Sequence, residues 1–184
     1  MTKPSVPPTI ETQLLQLQRT VGELAAREAL RERIMSLSRA MDRLDRDLYA
    51  AQFWPEAEVD YGVFYKGRID GFLDVVMGFQ GAMRDTQHLV GNIDIRLDGD
   101  HAAAESYVHA HHVLEKDGEL VQLMVGARYL SRFEQRAGEW RISYQTEAMD
   151  WGRWLPIADK WFDENQEMPK GRRGREDLSY RFLQ

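Results

Sequence analysis

Three turn signals fall in the second half of the chain: Asp98-Gly99-Asp100, Lys116-Asp117-Gly118 and Ala137-Gly138. Between and around them the apolar residues alternate, over His88 to Leu97, Ala102 to Leu114, Leu120 to Gln135 and Trp140 to Met149. Glycine tolerates the positive φ of a tight hairpin, and alternation sends successive side chains to opposite faces of a strand. The stretch therefore predicts three consecutive hairpins, an antiparallel meander of four long strands. Such a sheet has an apolar face to bury, and the rest of the chain must cover it.

The first half supplies that cover. Thr9 is placed to cap a helix, and Ile10, Leu14, Leu17, Val21 and Leu24 recur at steps of four and three. Leu30, Ile34, Leu37, Met41, Leu44 and Leu48 repeat the spacing after a phase shift near Ala25 to Glu28. Two or three amphipathic helices in succession are predicted, with core-facing stripes; the first stripe also reads as a seam for a partner helix. Pro55 is expected to end the helical region, Val59 to Phe64 to form a short strand, and Lys66-Gly67 to turn the chain. Residues 68 to 83 then read as a helix whose three glycines point to close backbone packing or a mobile segment over a cavity.

The order of elements defines an α+β fold. It is a cone-shaped α+β barrel, with N-terminal helices packed in a strongly curved, mainly antiparallel sheet that encloses a pocket. Residues 1–8, with three of the six prolines, are expected to be a disordered arm and 9–155 a single domain. Residues 156–184 form an extension. Its aromatic residues, with Trp151 and Trp154 leading to Trp161 and Phe162, are expected to pack it on the body or on a neighbouring subunit.

A net charge of -6 disfavours nucleic acid as a partner, because phosphate binding needs a positive field. The one basic run, Lys170, Arg172, Arg173 and Arg175, reads as a solvated or subunit-contacting tail. The chain has no cysteine, which removes disulfides, thiolate nucleophiles and Cys-ligated metals and suits a reducing cytoplasm. No apolar run reaches membrane-spanning length, so no membrane partner is expected.

The chemistry centres on a few residues. Asp42 sits beside the row Leu37, Met41, Leu44, Leu48, so its carboxylate belongs at the border of the buried face, whereas Asp45 and Asp47 read as ordinary. Of the five histidines, His88 follows Thr86-Gln87 at the start of a strand and is a candidate base, while His101 lies in a turn. In His109-Ala110-His111-His112, alternation places His112 with the small residues Ser106, Val108 and Ala110 over a cavity. His109 and His111 share the other face with Glu105 and Tyr107; two histidines and Glu105 have the types for zinc, but on an outer strand face they read as solvated and no metal is assigned.

The order Asp42, then Asp60-Tyr61, then Thr86-Gln87-His88, then His112 resembles scytalone dehydratase and its SnoaL-like relatives in the nuclear transport factor 2-like superfamily, over about residues 25 to 155. The hexachlorocyclohexane dehydrochlorinases, with the helix aspartate and strand histidine, are similar too. The resemblance implies a cone fold, a catalytic dyad of Asp42 and His88, and no cofactor. It implies that Tyr61 polarises a substrate carbonyl through water and that His112 assists a leaving hydroxyl. It also places Met41, Ala127 and Tyr129 at the substrate. There the chain departs from the dehydratase, which has a tyrosine, a serine and an asparagine at those positions. Gln145 stands near the position of the dehydrochlorinase arginine. The pocket is thus expected to be more apolar, suited to a small hydrophobic cyclic molecule.

The function expected is a cofactor-independent lyase, of dehydratase or dehydrohalogenase type, with His88 abstracting a carbon-bound proton and Asp42 orienting its imidazole. A ketosteroid-type isomerase, a non-catalytic ligand-binding or assembly protein, and a ring-hydroxylating dioxygenase beta-type subunit are the alternatives. A binding protein would satisfy both His88 nitrogens with protein, and a subunit would expose a large apolar surface when alone. A homodimer or homotrimer is expected in each case.

Overall fold

The computed structural model describes residues 9–157, 164–165 and 167–182; the predicted arm and Trp161 and Phe162 lie outside them. Helix α1 runs over Ile10–Arg43 and α2 over Arg46–Ala50, followed by strands β1 (Phe53–Asp60) and β2 (Lys66–Arg68) and helix α3 (Ile69–Gly81). Strands β3 (Asp85–Asp98), β4 (His101–Lys116), β5 (Glu119–Arg136) and β6 (Glu139–Pro156) follow, and the short helix α4 is Ser179–Phe182. The strands form one curved, unclosed sheet in the order β2-β1-β6-β5-β4-β3. Neighbouring pairs are antiparallel except β1 with β6, which are parallel. This is the α+β cone, with helices in the hollow of the sheet.

The first two helices predicted from the phase shift are one. Thr9 caps α1 by accepting from the Thr12 N–H at 3.2 Å, and the helix continues unbroken through Ala25 to Glu28. The shift marks where the helix meets the body: Leu30, Ile34, Leu37 and Met41 are buried against the core, while Ile10, Leu14, Leu17, Val21 and Leu24 are 53–85% exposed. α1 ends one residue before Leu44, which adopts a left-handed conformation (φ 51°) so that the Asp45 N–H reaches the Ala40 carbonyl at 2.9 Å. Asp45 is not ordinary. It is buried, caps α2 through the Leu48 N–H, and accepts a 2.6 Å hydrogen bond from the Tyr180 hydroxyl.

Pro55 does not terminate a helix. It sits within β1, which begins at Phe53, where the β1–β6 register shifts between Phe53 and Glu58. Proline has no N–H to give a ladder, so the bulge accommodates it. The strand expected at Val59 to Phe64 therefore ends at Asp60, because the Asp60 carboxylate accepts from the Gly62 N–H at 3.0 Å and Gly62 takes a positive φ of 59°. Lys66 to Arg68, expected as the turn, pair back on Asp60 to Glu58 as β2. In α3 only Gly71 has a packing reason, since a Cβ there would collide with the Tyr65 hydroxyl.

The meander forms as alternation predicts, and β6 runs beyond Met149 to Pro156, pairing Trp151 with Gly126 and Trp154 with Leu123. These two tryptophans, expected in the tail, are sheet residues. The C-terminal segment returns to the body: the Gly174 N–H donates to the Arg43 carbonyl at 2.8 Å. Arg173 donates to the carbonyls of Gln80, Met83 and Met41 at 2.7, 3.1 and 3.4 Å. The basic run is thus not simply solvated, because Arg173 is half-buried and ties the ends of α1 and α3 together.

Candidate active site

Between the helices and the concave face of the sheet lies a cavity of about 320 Å³, walled mainly by apolar and aromatic side chains. His88, Tyr61, His112, Met41, Ala127 and Tyr129 all line it. A wider groove of about 680 Å³ elsewhere on the sheet is edged by Glu56, Arg96, Asp98 and Arg136. There Arg136 is already paired with Glu56 and Glu134, so the groove offers solvated charge and no enclosed apolar volume.

Asp42 lies on the last turn of α1 and His88 on β3, which runs alongside it. The Asp42 Oδ1 is 2.7 Å from His88 Nδ1, and both carboxylate oxygens accept from the His88 backbone N–H at 3.1 Å. The carboxylate therefore holds ring and backbone at once. A carboxylate only accepts, so Nδ1 carries the shared proton and Nε2 presents its lone pair in the neutral ring. The His88 side chain is 3% exposed, and Nε2 has no hydrogen-bond partner among the described residues. Asp42 stands behind the histidine, outside the cavity wall.

His112 meets His88 edge to face with ring centroids 5.3 Å apart, and its Nδ1 is 2.7 Å from the Thr86 hydroxyl. Thr86 and His112 are directly opposed across β3 and β4, which is how a small polar residue comes to fix the second imidazole. Burial, reinforced by the neighbouring His88 and His111, pushes the His112 pKa down to about 4. At neutral pH the ring is uncharged and has no readily released proton.

Tyr61 stacks on Phe72 at 4.6 Å and donates its hydroxyl proton to Gln145 Oε1 at 2.8 Å. Gln145 Nε2 in turn donates to Ser131 Oγ at 2.9 Å. Gln145, at the place of a cationic residue in the dehydrochlorinase resemblance, is here a buried structural amide. The Tyr61 proton is committed to it, which leaves only the tyrosine oxygen's acceptor capacity. Burial raises the Tyr61 and Tyr129 phenols far above their ordinary range, so both stay neutral. Tyr129 is buried with no hydrogen bond to its hydroxyl among the described residues.

On the opposite face of β4, Glu105 is taken by Arg128 at 2.7 Å, and His109 packs edge-on against Trp151 at 5.4 Å. Among the described residues no group of three His, Cys, Asp or Glu is arranged to hold a metal.

Glu147 and Tyr49 also belong to the cavity and were not anticipated. Alternation along β6 carries Trp140 and Ile142 inward, which by parity would send Glu147 outward. A register shift between Phe133↔Ile142 and Arg132↔Tyr144 reverses the parity, so Gln145 and Glu147 face the hollow. Tyr49 follows Asp45, whose capping of α2 turns it into the core, where it stacks on Phe53 at 5.5 Å.

The fold is that of several solved structures. A type 2 hexachlorocyclohexane dehydrochlorinase, LinA, superposes with a TM-score of 0.69 at 21% identity, covering 78% of this chain and 99% of that one. The type 3 LinA from Novosphingobium barchaimii gives 0.66 at 23% identity, covering 76% and 94%. A Novosphingobium aromaticivorans protein provisionally named a scytalone dehydratase gives 0.66 at 20% identity, covering 76% and 98%. No curated protein matches the chain. The SnoaL-like domain, by contrast, matches residues 22–146, more than half of the sequence, and the chain belongs to this family within the nuclear transport factor 2-like superfamily.

Proposed function

We propose that the protein is a cofactor-independent lyase that removes a carbon-bound proton from a small hydrophobic cyclic compound, with His88 as the base and Asp42 as the group that orients it. The observation that carries this reading is the pairing of Asp42 with His88 Nδ1 while Nε2 stands unpartnered in the wall of an apolar cavity. A carboxylate on one ring nitrogen fixes the tautomer and stabilises the imidazolium formed when the other nitrogen takes a proton. The cavity volume suits one or two fused rings, and the aromatic lining favours a flat apolar body. The related dehydrochlorinases and dehydratase share the fold and carry lyase names, which supports the same class here. The non-catalytic binding reading is disfavoured, since it requires Nε2 to be held by protein.

The test is hydrogen–deuterium exchange at carbon. Cyclic ketones, α-tetralone first, are incubated with the protein in D2O and the α-proton signal is followed by NMR. Exchange above the buffer rate, abolished in His88→Ala, is the expected result. A wild-type protein that binds the ketone and exchanges nothing is not a carbon base.

A further inference from the structure

Glu147 is the only carboxyl group among the described residues that line the cavity, and the dyad does not use it. It projects from β6 opposite Tyr129 of β5, its cross-strand partner, and His88 projects from β3 on the far flank of the β4–β5 floor. Its side chain makes no hydrogen bond and no ion pair among the described residues, although Arg128 on the outer face of the same sheet pairs with Glu105 and Asp150. The charged and titratable groups that face it are Tyr49, Tyr61, Tyr129 and His88. Three are neutral phenols and none is a fixed cation. Burial without a cationic partner works against the ionised form of this carboxyl.

We propose that Glu147 is the proton donor of this site and that the leaving group is oxygen, so that the substrate is a cyclic alcohol losing water. The inference rests on the lyase reading and names its substrate class. His88 Nε2 takes the proton from carbon, the C–H electron pair becomes the new C=C bond, and the adjacent C–O bond breaks. The departing oxygen leaves with that bonding pair and takes the proton of the Glu147 carboxyl, giving water. An imidazolium and a carboxylate remain, and passage of one proton from His88 to Glu147 through the released water restores both. His112 is less suited to be this acid, because burial and the neighbouring His88 disfavour its charged form. Burial raises the Glu147 pKa against the opposing pull of His88. The unpartnered Tyr129 hydroxyl beside it gives the same oxygen a second hydrogen bond. A halide departs as a weakly basic anion and draws no proton from an acid, so a carboxyl donor serves an oxygen leaving group, which needs that proton to depart.

Infrared difference spectra of the full chain test this, comparing wild type with Glu147→Gln and with His88→Ala. The expected record at neutral pH is a protonated-carboxyl C=O band in wild type, lost in Glu147→Gln and retained in His88→Ala. Saturating α-tetralone should shift the band, and tetralin, the same rings without the oxygen, should not. An ionised Glu147 at neutral pH overturns the proposal, as does a band that bound α-tetralone leaves unmoved or a cavity that binds neither compound. The acid and base readings separate cleanly. Absent deuterium exchange with an intact, ketone-sensitive band speaks against His88 alone, and exchange without the band speaks against Glu147 alone.

Discussion

Asp42 holds His88 at two points, accepting from Nδ1 at 2.7 Å and from the backbone N–H at 3.1 Å, so the histidine cannot turn its ring without giving up a bond to the group that also anchors its strand. In the proposed mechanism the carboxylate positions the imidazole, and the imidazole is the group that meets substrate. Asp42→Asn retains the volume but lets an amide face Nδ1, which frees the other tautomer. Deuterium exchange into a cyclic ketone is expected to fall by about 10²-fold or more, and His88→Ala to remove the catalysed rate. Asp42→Ala should in addition lose about 1–3 kcal/mol of stability in urea unfolding, since the His88 backbone donor is left unmet.

His112 makes stability depend on pH. Its folded pKa of about 4 lies below the ordinary 6.5, so the unfolded chain binds the proton more readily. The contribution is fully present above pH 6.5 and is lost as the pH falls toward 4, up to about 3 kcal/mol in all. Urea unfolding of wild type across that window should show the loss, and His112→Gln should flatten that part of the profile.

Arg173 joins the C-terminal segment to the carbonyls of Met41, Gln80 and Met83, and both Met41 and Gln80 line the cavity. Arg173→Ala is expected to destabilise the fold by about 1–3 kcal/mol. Amide hydrogen exchange should quicken at the end of α3 before it quickens in β4 and β5. Uniform exchange changes across the sheet would show that the arginine does not act locally.

The exposed stripe of α1 is proposed as the surface where a second copy of the chain docks. Ile10, Leu14, Leu17, Val21 and Leu24 follow heptad spacing, and the flanking Gln13, Gln18, Thr20 and Ala25 are uncharged, so two copies meet without like charges opposed. Leu17→Glu combined with Val21→Glu should lower the mass seen by sedimentation equilibrium while leaving the deuterium exchange rate unchanged. A wild type that sediments as a monomer sinks the assignment.

Much of the fold is legible along the chain. The Asp98, Asp117 and Ala137 turns, each with its glycine, predict the meander, and Thr9 predicts the start of α1. Alternation correctly places Ser106, Val108, Ala110 and His112 inward on β4. The errors have a common origin in places where local signals carry two meanings. The phase shift near Ala25 reads as a helix break but marks a helix leaving the body, and Pro55 reads as a terminator but sits at a bulge.

What the sequence determined by itself is the set of periodicities and caps, because these depend on neighbours a few residues apart and on backbone preferences that act locally. The tertiary structure alone decided which polar groups meet. Asp42 and His88 are 46 residues apart in sequence and Tyr61 and Gln145 are 84 apart, so their contacts depend on how α1 lies along β3 and how β1 pairs with β6. The inward turn of Glu147 depends on a single register shift in β6, since a displacement of one residue in a strand exchanges its two faces.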